Sequence, residues 1–317
     1  MSANAAEQID ILTPREVPLG GPRAMKVRRT LPSRGRSLIG AWCFVDHYGP
    51  DDVAQDRPGM VVAPHPHIGL QTVSWLFAGA IEHRDSIGSH AVVRPGELNL
   101  MTAGFGISHS EVSTPETTVL HGVQLWVALP KGRAQMNPDF ARYAARPVPV
   151  AGGQINVFLG ELSWLDEDAA THTQSSPVPT QTPLLGAQID LDAGASLRLT
   201  SDAVFEHGVL VDSGSVTVNG QVVQAGELAF LPAGPDSLVI DTPEKTRILV
   251  LGGPPFGEEI IMWWNFVGRS QSEIEQARAR WEEESNGFVP QRFGRVVGDM
   301  ERIPAPALPG INLKPRR

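Results

Sequence analysis

The sequence predicts an all-β protein built from two tandem β modules, with a single helix near its C-terminus. Short strand-like runs recur along the 317 residues, and each is closed by Gly, Pro, Asn or Asp. A ten-residue motif occurs twice, as PGELNLMTAG at 95–104 and AGELAFLPAG at 225–234, which is typical of a duplicated module. Two modules of roughly 130 to 150 residues fit the chain length. We therefore expect domains at 1–140 and 141–317.

The strand predictions follow from apolar runs bounded by turn residues. In the first module they are LQTVSWLFA (70–78), ELNLMTA (97–103) and HGVQLWVALP (121–130). In the second they are QIDLDA (188–193), ASLRLT (195–200), ELAFLPA (227–233) and TRILVLGG (246–253). The segment SGSVTVNGQVVQ places Asn-Gly between two alternating runs, which predicts a hairpin with a two-residue turn.

Only one segment has a clear helical pattern, SQSEIEQARARWEEES at 270–285. Ile274, Ala277 and Trp281 fall on one face of that helix, and Ser272 with Glu275 could form its capping box. The Pro-bounded stretch at 130–149 is interpreted as the connector between modules. The Pro-rich tail at 303–317 is expected to lie extended on the surface.

Composition excludes several classes of function. The net charge is −9 and the sequence pI is about 5.5, so direct binding to nucleic acid is not expected. No apolar run of about 18 residues indicates a membrane span, and the N-terminal residues lack the pattern of a signal peptide. The one cysteine, Cys43, allows no intramolecular disulfide and is expected to be a buried thiol. These features predict a cytoplasmic protein.

Two histidine-containing pairs carry the candidate chemistry. His65 and His67 flank a proline at the start of a predicted strand, and His109 and Glu111 repeat the same spacing downstream. Since residues i and i+2 of a strand share a face, each pair can present two ligands in one direction. Three imidazoles and one carboxylate suit one Fe(II), Mn(II), Ni(II) or Cu(II) ion with one or two open positions, and Zn(II) is an alternative. The plainer interpretation is hydrogen-bonded histidines beside a loop.

The duplication provides an internal control on this interpretation. Aligned through the shared glycines, the second module has Val239 and Asp241 in place of His109 and Glu111. In the place of His65 and His67 it has Thr200 and Asp202. Histidines needed only for folding should occur in both copies, so we expect the metal site in the first module alone. Structural roles are expected for the remaining histidines, with His121 a candidate for supporting a ligand.

The chain resembles the pirin family, bicupins of the cupin superfamily. The motifs that carry the resemblance are HPHIGLQTVSWLFAG, PGELNLMTAGFGISHSE and HGVQLWVALP, together with LGGPPFGEEIIMWWNFV near the C-terminus. The resemblance spans about residues 25–290 and implies two cupin domains with one metal ion, usually iron, in the first. It places the ligands at His65, His67, His109 and Glu111. Pirin-like proteins commonly carry Glu where this chain has Gln71, which cannot act as a base.

The resemblance implies two principal functions. The first is a quercetin 2,3-dioxygenase type of enzyme that uses O₂ and a small flavonol or phenolic substrate. Under this hypothesis Glu111 is both a ligand and a candidate general base, and the candidate pocket residues are Gln71, Trp75, Phe77, Met101, Phe105 and His121. The second is a metal-dependent regulatory module that binds a protein partner without turnover. A third hypothesis, a metal-binding cupin whose activity has lapsed, rests on Gln71.

Overall fold

The computed structural model describes residues 9–19, 25–54, 59–287 and 291–317, which form 26 strands and one helix. The first twelve strands are β1 (Asp10–Leu12), β2 (Arg15–Leu19), β3 (Met25–Leu31), β4 (Trp42–Asp52), β5 (Val61–His67), β6 (Leu70–Ala78), β7 (Ile81–Asp85), β8 (His90–Val93), β9 (Glu97–Thr102), β10 (Ile107–Ser113), β11 (Val119–Ala128) and β12 (Asp139–Ala144).

The remaining strands begin in the predicted connector and end just before the helix. They are β13 (Val148–Val150), β14 (Gly153–Leu159), β15 (Glu161–Leu165), β16 (Thr171–Ser175), β17 (Leu185–Leu191), β18 (Ser196–Thr200), β19 (Glu206–Ser213), β20 (Ser215–Val218), β21 (Gln221–Gln224), β22 (Leu228–Leu231), β23 (Ser237–Asp241), β24 (Thr246–Gly253), β25 (Ile261–Trp263), β26 (Phe266–Gly268), and then the helix α1 (Gln271–Ser285).

The described chain divides into two compact units that are discontinuous in sequence. The first contains residues 9–15, Arg28–His47 and Tyr143–Phe256, and the second contains the described parts of 16–27, 48–142 and 257–317. Strands β2, β3, β4 and β12 include residues of both units. The helix and the C-terminal tail pack in the same unit as residues 48–142. The predicted domain boundary between residues 140 and 141 remains a prediction.

The first unit is a sandwich of two antiparallel sheets. One sheet has the order β1-β22-β19-β24-β17-β14-β13, and the other has the order β16-β15-β18-β23-β20-β21. Apolar side chains from alternate positions of both sheets fill the space between them, as Val209 and Val250 do from one sheet and Leu199 and Leu238 from the other. The Asn-Gly hairpin is confirmed, because Asn219 and Gly220 have the positive φ angles, 46° and 82°, of a tight turn between β20 and β21.

The second unit also has two facing sheets. In one, β12, β9, β6 and β11 are neighbours in that order, and the other has the order β5-β10-β7-β8. Leu76 and Leu120 from the first sheet pack with Val62, Ile81 and Val93 from the second. One apolar cluster therefore closes one end of a small barrel, and the polar residues described below occupy positions between the same two sheets.

Strand β5 lies at the edge of its sheet, and the position of its prolines explains why. Proline has no backbone N–H for a ladder, so it is tolerated at a sheet edge. Pro66 faces Ser108 of β10 on the paired side, and the carbonyl of Pro64 accepts a hydrogen bond from the backbone of Ile303 in the C-terminal tail. The proline between His65 and His67 thus lies on an edge strand.

Helix α1 confirms the predicted apolar face and corrects its start. Ile274, Ala277 and Trp281 are buried. The N-cap is Ser270, whose hydroxyl accepts from the backbone of Glu273, so the expected capping pair Ser272 and Glu275 is wrong by two residues. Both pairs match the Ser-x-x-Glu pattern, and the earlier one starts the helix. The tail contains no helix or extended strand. Its apolar residues Ala305, Leu308 and Leu313 pack in the apolar cluster that contains Ile274, Ala277 and Trp281 of α1.

Candidate metal centre

The β5-β10-β7-β8 sheet places six titratable side chains on one face, those of His65, His67, His83, Asp85, His109 and Glu111. Strand β10 is antiparallel to β5 on one side, with His109 opposite His65, and to β7 on the other, with His109 opposite Asp85 and Glu111 opposite His83. Directly paired residues share a face, as do residues i and i+2 of one strand. The register therefore brings together the side chains that the sequence spacing could only place in pairs.

Three ring nitrogens converge on this face, one each from His65, His67 and His109. These nitrogens lie within 4.8 Å of one another, and all three residues are buried. The Nε2 atoms of His67 and His109 are 3.1 Å apart. Metal–nitrogen bonds of about 2.1 Å at right angles would put two ligand nitrogens about 3 Å apart, so this spacing suits neighbouring ligands of one ion.

The hydrogen bonds behind the rings determine which nitrogen faces the centre. Nδ1 of His65 donates to the carbonyl of Ala63 at 2.9 Å, and Nδ1 of His67 donates to the carbonyl of Asn265 at 3.0 Å. Each Nε2 then carries a lone pair that is directed away from these carbonyls. This is the tautomer that a histidine ligand requires.

Burial keeps the three imidazoles neutral. Desolvation lowers the pKa of His65 to about 4 and lowers the pKa values of His67 and His109 well below the ordinary value of 6.5. When His109 carries its hydrogen on Nδ1, the Nε2 lone pairs of His67 and His109 face each other at 3.1 Å and repel, and a proton between them is disfavoured by the same burial. A metal cation relieves this repulsion, so the donor set fits a divalent transition metal.

The carboxylate of Glu111 lies on the other side of His109. One of its oxygens and a ring nitrogen from each of His109 and His83 lie within 4.8 Å of one another, but Glu111 does not belong to the group formed by His65, His67 and His109. The pairing of β10 with β5 also shifts register here: the partners of His109 and Glu111 are His65 and Val62, so the extra residue of this β-bulge lies on β5. Burial raises the pKa of Glu111, while nearby His83 and the Ser74 hydrogen bond oppose that rise. Glu111 as the fourth ligand stays a prediction.

A row of polar side chains crosses the opposite sheet and faces Glu111. Ser74 on β6 is paired with Asn99 on β9 and with Gln124 on β11, so the three side chains point into the barrel together. The Ser74 hydroxyl lies 2.9 Å from Oε1 of Glu111 and 2.9 Å from Oε1 of Gln124. Both amide atoms of Asn99 are buried and have no hydrogen-bond partner among the described residues. Such an arrangement is typical of a site that is completed by a ligand or by water.

The candidate pocket residues on or beside β6 lie on two different faces of its sheet, because side chains alternate along the strand. Met101 is paired with Thr72 and so shares the face of Ser74, which supports its position as a wall of the site. Gln71 and Trp75 are an odd number of residues from Ser74, and their side chains therefore leave β6 on the other face. Gln71 donates to the Thr102 hydroxyl there. The i, i+2 spacing from His65 through His67 to Gln71 would predict one shared face on an uninterrupted strand. That prediction is wrong, because β5 ends at His67 and β6 belongs to the other sheet.

Phe105 and His121 make contacts with residues outside the candidate metal centre. The carbonyl of Phe105 accepts from the side chain of Arg292, and its backbone N–H donates to Met136. The ring of His121 packs edge to face against Phe77, with 4.9 Å between ring centroids. Phe77 is two residues after Trp75 on β6, so its side chain leaves the strand on the same face as Trp75, away from Ser74. The roles predicted for these residues beside the metal remain predictions.

Sequence reasoning missed His83 and Trp126. His83 was expected to have an ordinary structural role, but its Nδ1 lies 3.4 Å from Nδ1 of His109. The ring of Trp126 packs edge to face on His67, with 5.3 Å between centroids. Alternation within HGVQLWVALP would have placed Trp126 on the same face as Gln124. No comparable signal was available for His83, because its position depends on the pairing of β7 with β10.

Family models match both units of the fold. The model described as Pirin matches residues 24–127, and the model described as Pirin C-terminal cupin domain matches residues 186–287. The chain belongs to the pirin family. The pirin is thus a protein of two cupin domains, and the predicted all-β fold of two tandem modules is confirmed.

Relatives and solved structures agree with this assignment. The pirin is 41% identical over 299 residues to a Pseudomonas aeruginosa protein named "Putative quercetin 2,3-dioxygenase", covering 94% of this chain and 90% of that protein. It is 36% identical over 267 residues to a Pirin-like protein of Caulobacter vibrioides, covering 81% and 88%. A crystal structure of quercetin 2,3-dioxygenase from Acinetobacter baumannii superimposes with a TM-score of 0.86, at 36% identity and 98% coverage of both chains.

The described part of the pirin contains no helix of sufficient length and apolarity to cross a membrane. Its helix α1 has 15 residues and carries several acidic side chains.

Proposed function

We propose that this pirin is a mononuclear, metal-dependent dioxygenase of the quercetin 2,3-dioxygenase type, acting on a flavonol or related phenolic substrate. The observation that carries the proposal is the convergence of three buried imidazole nitrogens beside a buried carboxylate, inside a barrel lined by apolar and amide side chains. Similarity to the quercetin 2,3-dioxygenase of Acinetobacter baumannii supports the substrate class.

Under this proposal His65, His67 and His109 hold the ion, and Glu111 completes the set or lies next to it. We propose Fe(II) as the native metal, since nitrogen and oxygen donors with open positions suit it, and Mn(II), Ni(II), Cu(II) and Zn(II) as alternatives. The bound ion would supply Lewis acidity and the means to engage O₂.

Glu111 suits the role of general base. Its pKa is raised by burial, which brings a carboxylate closer to the working pH at which proton abstraction is efficient. The Ser74 hydroxyl holds one of its oxygens, which fixes the carboxylate while the other oxygen can reach a substrate hydroxyl. Trp126 and Met101 supply apolar surface on the same side of the barrel, which would exclude water from an aromatic substrate.

The test is aerobic incubation of protein loaded with each metal in turn, with quercetin as substrate. We expect consumption of O₂ and release of CO above the rate of free metal, and loss of both in His67→Ala. Tight metal binding without turnover for any metal would reject the enzyme and favour the regulatory module with a protein partner. Pull-downs with metal-loaded and metal-free protein would then examine that alternative.

The proposed location is the cytoplasm. Cys43 is a buried thiol outside any disulfide, as expected of a chain that folds in a reducing compartment. Fractionation of cells that express a tagged chain tests this proposal.

A further inference from the structure

The three metal-facing histidines are not supported in the same way. Neutral backbone carbonyls accept from Nδ1 of His65 and of His67. Nδ1 of His109 instead faces Nδ1 of a second histidine, His83, at 3.4 Å. His109 is thus the one ring of the three whose tautomer depends on another titratable side chain.

His83 is itself held by a carboxylate. Its Nε2 lies 3.2 Å from Oδ2 of Asp85, and its ring stacks on Phe140 with 4.8 Å between centroids and 23° between planes. The other carboxylate oxygen of Asp85 accepts from the backbone N–H groups of Ile87 and Ser89. His83 and Asp85 are 2% and 3% exposed, so solvent does not compete for these hydrogen bonds.

The carboxylate of Asp85 determines which ring nitrogens of His83 and His109 carry a hydrogen. A carboxylate oxygen can only accept, so Nε2 of His83 carries the hydrogen and Nδ1 of His83 carries a lone pair. That lone pair accepts from Nδ1–H of His109. Nε2 of His109 is then left with its lone pair facing the nitrogens of His65 and His67. The buried carboxylate therefore determines, through an intervening ring, which nitrogen of His109 can bind a metal.

We propose that Asp85 and His83 are positioning residues that fix the metal-binding tautomer of His109. The proposal relies on the metal centre of the proposed function and is independent of the dioxygenase reaction. The alternative role for His83 is as a ligand itself, since it also lies within 4.8 Å of His109 and Glu111.

The first test is Asp85→Asn. The oxygen of the introduced amide can still accept from the two backbone N–H groups, so its NH₂ group is turned towards His83. His83 must then accept at Nε2 and donate at Nδ1, which inverts His109 and places a hydrogen where the metal binds. We expect metal affinity, measured by competition with a chelator, to fall about 10- to 100-fold. Long-range ¹H–¹⁵N NMR of the metal-free protein should show His109 changing from Nδ1–H to Nε2–H.

The second test separates positioning from ligation at His83. In His83→Gln the amide oxygen can accept from His109 while the amide nitrogen donates to Asp85, so both hydrogen bonds survive. In His83→Phe neither does. Positioning predicts near-parental metal affinity for the glutamine variant and a loss of about 10- to 100-fold for the phenylalanine variant. Equal loss in both variants would mean that His83 is a ligand and would overturn the proposal.

Matched controls come from the same two strands. Glu82 on β7 binds His90 on β8 through a 2.6 Å contact, and the His90 side chain is 54% exposed. Glu82→Gln is the same chemical change as Asp85→Asn, made three residues earlier in the chain, and we expect parental metal affinity and parental His109 tautomer. Thermal unfolding of each metal-free variant establishes that the fold persists. Parental affinity and an unchanged His109 tautomer in Asp85→Asn would refute the proposal, whether or not the protein turns over quercetin.

Discussion

The substitution Asn99→Leu should stabilise the metal-free protein and impair its reaction. Asn99 is 2% exposed, and neither its amide oxygen nor its amide nitrogen has a partner among the described residues. An unmet buried polar group costs about 1–3 kcal/mol, so two such atoms cost about 2–6 kcal/mol. Leucine has a similar shape, and repacking around a volume-conserving change costs up to about 1.5 kcal/mol. We therefore expect a net gain of about 0.5–4.5 kcal/mol in the free energy of unfolding.

The same change should remove a hydrogen bond to the substrate. Asn99 lies across from Ser74, whose hydroxyl holds Glu111, so its amide faces the space beside the candidate base. Loss of one such bond, about 1.4 kcal/mol, corresponds to roughly a tenfold fall in kcat/KM for quercetin. Chemical denaturation of the metal-free protein and steady-state kinetics of the loaded protein measure the two effects.

Asn156→Leu is the matched control. Only Oδ1 of Asn156 lacks a partner among the described residues, and the residue belongs to the other unit. It should give about half the stabilisation and leave kcat/KM unchanged. If Asn99→Leu instead destabilises the protein by more than about 1 kcal/mol, the Asn99 amide must already be satisfied, by a buried water for example, and the reasoning fails.

Three further predictions concern the carboxylate, the far face of β6 and acid stability. Glu111→Gln should fold normally and lower quercetin turnover at least about 100-fold, as measured by O₂ consumption; unchanged turnover would exclude Glu111 as the base. Gln71→Glu should leave metal affinity within about threefold of the parent, because the side chain lies on the face of β6 away from the site. Changing a group that contacts a metal ligand typically lowers metal affinity by about tenfold or more. Buried His207 has its pKa lowered to about 4, so the unfolded state binds more protons than the folded state between about pH 4 and 6.5, and stability falls with acidification. From about pH 7.5 to about pH 4.5 the parent should lose about 2.5 kcal/mol more than His207→Gln in urea unfolding; equal losses would show that His207 is not the cause.

Much of the architecture was predictable because it depends on local pattern. The alternation of LQTVSWLFA defines β6 (Leu70–Ala78), and the Asn-Gly pair defines its hairpin, since both signals act over a few residues. The spacing of His65 and His67 was sufficient to place both rings on one face of a regular strand. The repeated motif was equally informative, because Gly96 and Gly226 adopt similar positive φ angles, 79° and 86°, at corresponding turns.

The rest of the site depends on which strands pair and where they are irregular. The face of β5 does not continue to Gln71, because the chain turns at Gly69, which has φ of 67°. The bulge opposite Glu111 could not be predicted from the His-x-Glu spacing, because the extra residue lies on the partner strand β5. His83 joins the site only through the register of β7 with β10, a contact between residues 26 apart in sequence.

The edge strand β5, which contains two prolines, also bears on how this molecule avoids self-association. An exposed edge with free N–H and C=O groups invites another chain to add a strand and is a common start of aggregation. On β5, Pro64 and Pro66 offer no N–H, and Ile303 already occupies the carbonyl of Pro64. Shortening the chain before Ile303 would uncover that carbonyl on the strand that presents His65 and His67. Purification tags or truncations at the C-terminus should therefore be judged by solubility as well as by metal content.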